Sequence, residues 1–303
     1  MRDGLAPEIP HMKLLVKFSL VFILVFGLGI AAASWICKDF LESNARAQVR
    51  READLMMESA LAVRTYTTDQ IKPLLEALHR RDKVFCPQTV PGYAATETLN
   101  FIRKKWPEYT YKEATLNPTN PRDRAVDWEA DLVSKFRNDS TAKELTGVRQ
   151  SAAGGESLFV AHPMSAKQAC LECHSTAAVA PAGMVRLYGP NNGFNWKVGE
   201  VVAAQIVSVP LSVPKALADA AYRKLMLSLV GIAVLTLIAL NLVLTFTVIR
   251  PVTRLAHAAD EISKGHLDVP ELPAGGSDEI GMLAAAFNRM HRSLAKAMKM
   301  LDK

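Results

Sequence analysis

The sequence predicts an α+β domain held between two membrane-spanning helices and followed by a helical coiled-coil module. Three observations lead there. Leu14 to Ile36 is broken only by Lys17, and Leu225 to Ile249 carries no formal charge. Helical periodicity followed by turn-separated strands fills the region between these blocks. Beyond the second block, Ile280, Leu283, Phe287, Met290, Leu294, Ala297 and Leu301 alternate steps of three and four, a seam that one helix cannot bury alone.

The second apolar block is roughly 37 Å long as a helix, enough to cross a bilayer with some tilt. The first could be a cleaved signal peptide, since Lys13 and Lys17 precede it and Ala31-Ala32-Ala33 resembles a cleavage site. Its run exceeds a signal core of about 7–15 residues, so a retained helix is expected. The expected organisation is an N-terminal segment 1–13, membrane helices 14–36 and 225–249, a domain at 38–223 and a C-terminal module at 250–303. Arg2, Lys13 and Lys17 flank the first span, and Arg250, Arg254 and Lys264 follow the second, which places both termini in the cytoplasm. Net charge is +6, yet no basic patch interleaved with aromatics forms a nucleic-acid groove.

Within the domain, Asp39 to about Arg81 reads as a helix bearing Leu41, Val49, Leu55, Met56, Leu61 and Val63, which Pro73 should kink or restart. Val84 to Tyr93 holds two prolines and a glycine and reads as a pinned loop. A helix is expected from about Ala94 to Trp106, a strand from Tyr109 to Leu116, and a helix from Arg122 to Arg137. Gly154-Gly155 should bend the chain before a short strand, Ser157 to Ala161, and Glu200 to Val209 alternates as another strand. In the C-terminal module, Pro251 suits a helix start or junction bend. Gly265 can take a left-handed cap, and Ser277, with Asp278 and Glu279, can open the second helix.

The chemistry is concentrated in Cys170-Leu171-Glu172-Cys173-His174. Two thiols three positions apart with an imidazole directly after the second have the spacing of a c-type haem attachment site. Thioether links from Cys170 and Cys173 would hold the macrocycle so that His174 becomes the proximal iron ligand. A zinc site would need four N or S ligands, and only Cys37, Cys86 and scattered histidines remain to complete it. One covalently bound haem c is therefore expected, and its attachment belongs to the oxidising side of the membrane, the periplasm.

Cys86, His162, Met164 and Met184 are the candidates for the opposite side of the iron. Cys86 is favoured because its loop is fixed by prolines and a thiolate suits ferric iron, although an inert thiol or a disulfide with Cys37 would also explain it. His162 is a weaker candidate, and the two methionines serve equally as core fillers. Tyr93, Tyr109 and Tyr111 could line a haem pocket or simply pack on the sheet. His79, His257, His266 and His291 have ordinary surface or connector explanations.

Two resemblances add to this reading. Arg250 to about Leu301 resembles a HAMP domain, the parallel four-helix dimer module of bacterial receptors, through Pro251, Gly265, Asp278-Glu279-Ile280-Gly281 and Phe287-Asn288-Arg289-Met290. About Val84 to Pro210 is similar to the PAS-like domain of bacterial membrane-anchored c-type haem sensors, a domain formerly of unknown function. Tyr111 to Pro118, Trp128-Glu129-Ala130, Cys170 to His174 and Val207 to Pro210 carry the likeness. It implies a small sheet flanked by helices with haem at one side. His162 stands where that family suggests an arginine, which puts a propionate contact there in doubt.

Together these features predict a non-enzymatic, homodimeric two-pass sensor of the bacterial inner membrane, embedded in lipid through its two helices. Redox change or a small gas at the haem would be relayed through HAMP to a separate cytoplasmic partner, since no kinase, cyclase or methyl-accepting region is recognisable up to Lys303. The rival expectation is a membrane-tethered c-type cytochrome that takes electrons from a periplasmic donor.

Overall fold

The computed structural model describes residues 13–75, 85–151, 154–273, 275–276 and 278–301. Residues up to 38 together with those from 222 form one compact unit, and 39–221 form another. The expectations for His79 and the Ser277 cap lie outside the described residues.

The central unit is built on a four-stranded antiparallel sheet in the order β1-β4-β3-β2, with β1 Thr110–Thr115, β2 Leu145–Gln150, β3 Glu156–Ser165 and β4 Val201–Pro210. β2 carries few apolar residues and escaped the sequence reading. β3 runs to Ser165 rather than ending at Ala161, through Pro163. It can do so because its pairing with β2 stops at Ala161, so the missing proline N–H falls where no ladder bond is needed.

Helix α1, Leu14–Tyr66, is one unbroken run of 53 residues. Its buried stripe is Val49, Ala53, Met57 and Ala60, and it packs with Ala95 and Leu99 of α2 (Pro91–Lys105) on the sheet face bearing Tyr111, Val160, Val207 and Val209. Leu55, which the sequence marked as apolar helix face, is 68% exposed. The helix approaches the sheet through Val49 and Met57, with Ala53 and Ala60 between and beyond them. α2 starts three residues earlier than expected because Pro91 occupies its first turn, where a missing N–H costs nothing.

The opposite sheet face packs against α3, Asp127–Asn138, through Leu132, Val133 and Phe136 onto Ala114, Ala161, Ala204 and Ile206. α3 begins five residues later than predicted. Glu129 accepts the Val126 N–H (2.9 Å) and the Lys112 ammonium (2.7 Å), fixing the helix entry there, while Pro121–Asp123 forms a separate 3-10 turn.

Proline has the same consequence twice. Thr67–Ile71 and Thr245–Ile249 are both π-helical turns, and each is followed two residues later by a proline, Pro73 and Pro251. The wider turn absorbs the lost i→i−4 hydrogen bond and the ring clash, so the helix continues instead of restarting.

In the other unit, the beginning of α1 and helix α6 (Ser212–Leu244) are both long and apolar enough to cross a membrane. Ser34 Oγ lies 2.6 Å from the Tyr222 hydroxyl, and Ser19 Oγ donates to Asn241 Oδ1 at 2.9 Å. Those pairings set the two spans antiparallel and tie them with side-chain hydrogen bonds, as lipid-embedded helices commonly are. Beyond the second π turn come α7, Arg250–Ser263, and α8, Glu279–Leu301. Gly265, at φ +93°, closes α7 with the His266 N–H donating to Glu261 O. Leu267, Val269 and Leu272 of the connector pack on Ala258, Ile262 and Phe287. The Asp278 carboxylate accepts the Gly281 N–H at 2.7 Å and so supplies a cap at the start of α8.

Candidate functional site

Cys170 closes a 3-10 turn, Gln168–Cys170, and Leu171–His174 forms the single-turn helix α4. That turn brings Cys170, Cys173 and His174 to neighbouring positions. All four cysteines are free thiols and half-buried.

His174 is held from three directions. Its Nδ1 lies 2.7 Å from the Gly193 carbonyl, which can only accept, so Nδ1 carries the proton and Nε2 keeps its lone pair for a metal. The Thr119 hydroxyl lies 3.4 Å from the same nitrogen. Trp196 stacks on the ring, 3.9 Å between centroids and 9° between planes. The backbone completes the clamp: Asn195 N–H donates to Ser175 O and Trp196 N–H to His174 O. Burial lowers the His174 pKa, partly offset by the Gly193 bond, so the neutral imidazole that metal ligation needs is favoured. Burial likewise raises the Cys173 thiol pKa.

Sequence reasoning missed this clamp. The stretch from Tyr188 to Gly193 reads as a turn by composition, and nothing local shows that Gly193 and Trp196 return to a histidine 19 and 22 positions earlier. The aromatic-rich Phe194-Asn195-Trp196 directly after the turn is the only hint.

Cys173 and His174 line a cleft of about 170 Å³, partly open to solvent. That is smaller than a closed cofactor pocket of about 300–1,000 Å³, so a group held here stays partly exposed. Phe85, Val90, Tyr93, Met164, Met184, Tyr188 and Trp196 make its walls largely apolar, while Glu113, Asn120, Arg122 and Asp123 supply polar groups. Met184, on helix α5 (Ala182–Tyr188), is 3% exposed and packs with Ala180 and Phe194, against which Cys173 also rests. Cys170 is not a lining residue, and its Sγ accepts the Lys167 N–H at 3.3 Å; Cys173 in the cleft wall, Cys170 three positions before it and a histidine whose Nε2 is kept unprotonated fit a haem site. Among the described residues no cluster of three or more His, Cys, Asp or Glu could hold a bare metal ion.

The distal candidates separate. Met164 and Met184 line the cleft. Cys86 sits between the lining residues Phe85 and Pro87, and its carbonyl accepts the Thr89 N–H (3.1 Å) and hydroxyl (2.8 Å), which fixes the loop. Cys86 itself is not a lining residue. His162 is not one either: its Nε2 lies 3.3 Å from Glu144, which also takes the Arg50 guanidinium at 2.7 Å. Of the tyrosines, Tyr93 lines the cleft, Tyr109 donates to Glu52, and Tyr111 donates to Glu113 at 2.7 Å.

Two carboxylates face the cleft. Asp123 is pushed up to about 6, chiefly by burial, which the adjacent Arg122 only partly offsets. Arg122 lies 4.8 Å over the Tyr93 ring and pairs with Glu97. Glu113 pairs with Arg64 of α1, whose second nitrogen reaches Met164 Sδ at 3.5 Å. Burial works against the Arg64 charge, but Glu113 outweighs it and the guanidinium pKa is raised.

A search of curated proteins gave no match. The crystal structure of the cyanobacterial heme-protein Tll0287 is similar at 14% identity and a TM-score of 0.36, covering 55% of this chain and 91% of that one. The HAMP domain model matches residues 243–296. The Tll0287-like model matches residues 42–210, more than half of the sequence, and the chain belongs to the Tll0287-like family.

Proposed function

We propose that this protein is a redox or gas sensor of the bacterial inner membrane that carries one covalent haem c in the periplasm and signals through its HAMP domain to a separate cytoplasmic protein. In this reading the spans are 14–36 and 225–249, residues 38–223 lie in the periplasm and both termini lie inside, as the flanking basic residues and the haem motif support. The chain acts as a homodimer, joined through HAMP and the membrane helices, and has no catalytic role.

The observation that carries this reading is the 2.7 Å contact between His174 Nδ1 and the Gly193 carbonyl. Gly193 O accepts the Nδ1–H hydrogen bond, so Nε2 is left for ligation, one and four positions after two free thiols. When bound, haem supplies one-electron chemistry and an axial site for small gases. The residues of the chain do the rest. Cys170 and Cys173 anchor, Trp196 and Gly193 set the imidazole plane, and the apolar cleft walls exclude water.

Cys86 is the favoured distal ligand, because its loop between Phe85 and Pro87 borders the cleft and can bring the thiol in with a small rearrangement. Met164 and Met184 follow. A relay of this kind requires that two haem states bias two packings of the membrane helices differently, with typical coupling of about 1–3 kcal/mol.

The test is optical spectroscopy of the full chain produced with the haem-attachment machinery. Wild type is expected to carry pigment that survives denaturing extraction, and Cys170→Ala with Cys173→Ala to lose it. Cys86→Ala is expected to change the oxidised spectrum and to open the reduced protein to carbon monoxide. Pigment that extracts freely from wild type would sink the haem c assignment, and an unchanged Cys86→Ala spectrum would remove Cys86 as ligand.

A further inference from the structure

We propose that the ion pair between Arg64 and Glu113 is the joint through which the state of the haem cleft is passed into α1. The inference rests on the sensor reading and adds the residues that perform the coupling.

The argument begins with the register of α1. Val49, Ala53, Met57 and Ala60 form its buried stripe, and the next position on that stripe, four residues on, is Arg64. An arginine on the packing face of a helix is costly unless a partner waits for it. Glu113, on the central part of β1, is that partner. Its side chain is 12% exposed and that of Arg64 25%. A pair this dry is screened far less than a surface pair, so a change of net charge nearby alters its strength.

Glu113 also stands where the cleft and the loop before α2 meet. It lines the cleft and accepts the Tyr111 hydroxyl, to which Gln205 donates in turn at 3.2 Å. Its other oxygen packs so closely on Gly92, in the first turn of α2, that a Cβ there would collide with it. A carboxylate beside the start of a 15-residue helix is favourably placed. The chain from Phe85 to Gly92 borders the cleft and ends on this carboxylate. Any change in that loop or in the charge inside the cleft therefore reaches Glu113 directly, and Arg64 next. Arg64 belongs to the same unbroken helix as the first apolar span. A second link, Lys72 to Glu172 within the Cys-X-X-Cys-His segment at 3.3 Å, joins the same helical run to the haem motif, although both groups are exposed and contribute little.

The alternative is that Arg64 and Glu113 only stabilise the fold. Hydrogen exchange of the full haem-loaded chain in phospholipid nanodiscs separates the two, read on peptides covering 53–71 with ferricyanide and then with dithionite. In wild type, exchange rates there should differ by at least about five-fold between the two conditions, the lower end of ordinary coupling. Arg64→Gln should keep the haem spectra in both conditions and lose that difference, Arg64→Lys should retain part of it, and Glu113→Gln should lose it. A wild-type difference that persists in both Arg64→Gln and Glu113→Gln overturns the joint and leaves the sensor reading standing. No difference in wild type, with reversible reduction, overturns both and favours the tethered cytochrome.

Discussion

The imidazole of His174 and the indole of Trp196 are stacked almost parallel, 9° apart at 3.9 Å, and Trp196 also donates its backbone N–H to the His174 carbonyl. One residue thus fixes both the ring and the main chain of His174. Trp196→Leu keeps much of the apolar contact and removes the stack, worth about 0.5–1.5 kcal/mol. The domain should melt roughly 2–4 °C lower for each kcal/mol lost. Thermal unfolding followed at the haem absorption band checks this, and an unchanged midpoint would contradict it.

Gly193 should not tolerate a side chain. It sits at φ +79°, and a Cβ would lie 2.8 Å from the Thr119 nitrogen and 2.9 Å from its Cα. The left-handed backbone and the clash together should cost Gly193→Ala about 2 kcal/mol or more. Because the same residue accepts the His174 Nδ1–H hydrogen bond, covalent haem yield per milligram of protein should fall as well, as read by haem staining of denaturing gels.

Asp123 makes stability depend on pH. Its folded pKa of about 6 lies above the ordinary value of 3.8, so the folded state holds the proton more tightly than the unfolded chain. Stability therefore falls as pH rises from about 4 to about 6 and stays reduced above that, by on the order of 2 kcal/mol. Asp123→Asn should remove this slope and raise the melting temperature at pH 7.5 more than at pH 4.5. A variant that melts like wild type at both pH values would refute it.

His162→Ala should leave the haem spectrum of both oxidation states unchanged. Its Nε2 faces Glu144 in a half-exposed cluster with Arg50, not the cleft. Losing that contact should cost under about 1 kcal/mol. A shifted Soret band would return His162 to the set of ligands.

Asn288 pins the HAMP connector. It is 4% exposed, accepts the Leu272 N–H at 3.0 Å and donates to the Leu272 carbonyl at 2.8 Å. His291 adds a hydrogen bond to Leu267 O at 3.0 Å. Asn288→Ala leaves both Leu272 backbone groups without their partner, a loss of about 1–3 kcal/mol. Limited proteolysis should then cut between 264 and 276 faster than in wild type, with α8 retained.

The sequence by itself determined whatever is written contiguously or periodically. The Cys170 to His174 motif, the apolar blocks beginning at Leu14 and Leu225, the glycine cap at Gly265 and the alternation of β4 depend on neighbours a few residues apart, where spacing alone fixes which side chains share a face. Boundaries set by a distant partner were not legible. α3 starts at Asp127 because Glu129 meets Lys112 of β1, and β3 passes through Pro163 because β2 has already ended beside it. Pro73, expected to kink or restart its helix, instead follows a π turn, while Pro251 stands in the first turn of α7 as its sequence position suggested.

Only the tertiary structure decided how the site is held. Gly193 and Trp196 reach His174 by the return of a turn, Thr119 comes from beyond β1, and Arg64 finds Glu113 across 49 positions of sequence. Each is a polar or aromatic contact whose free energy depends on burial and on exact separation, and neither exists until the sheet has brought the segments together. The motif names the chemistry, and the fold chooses the nitrogen that performs it.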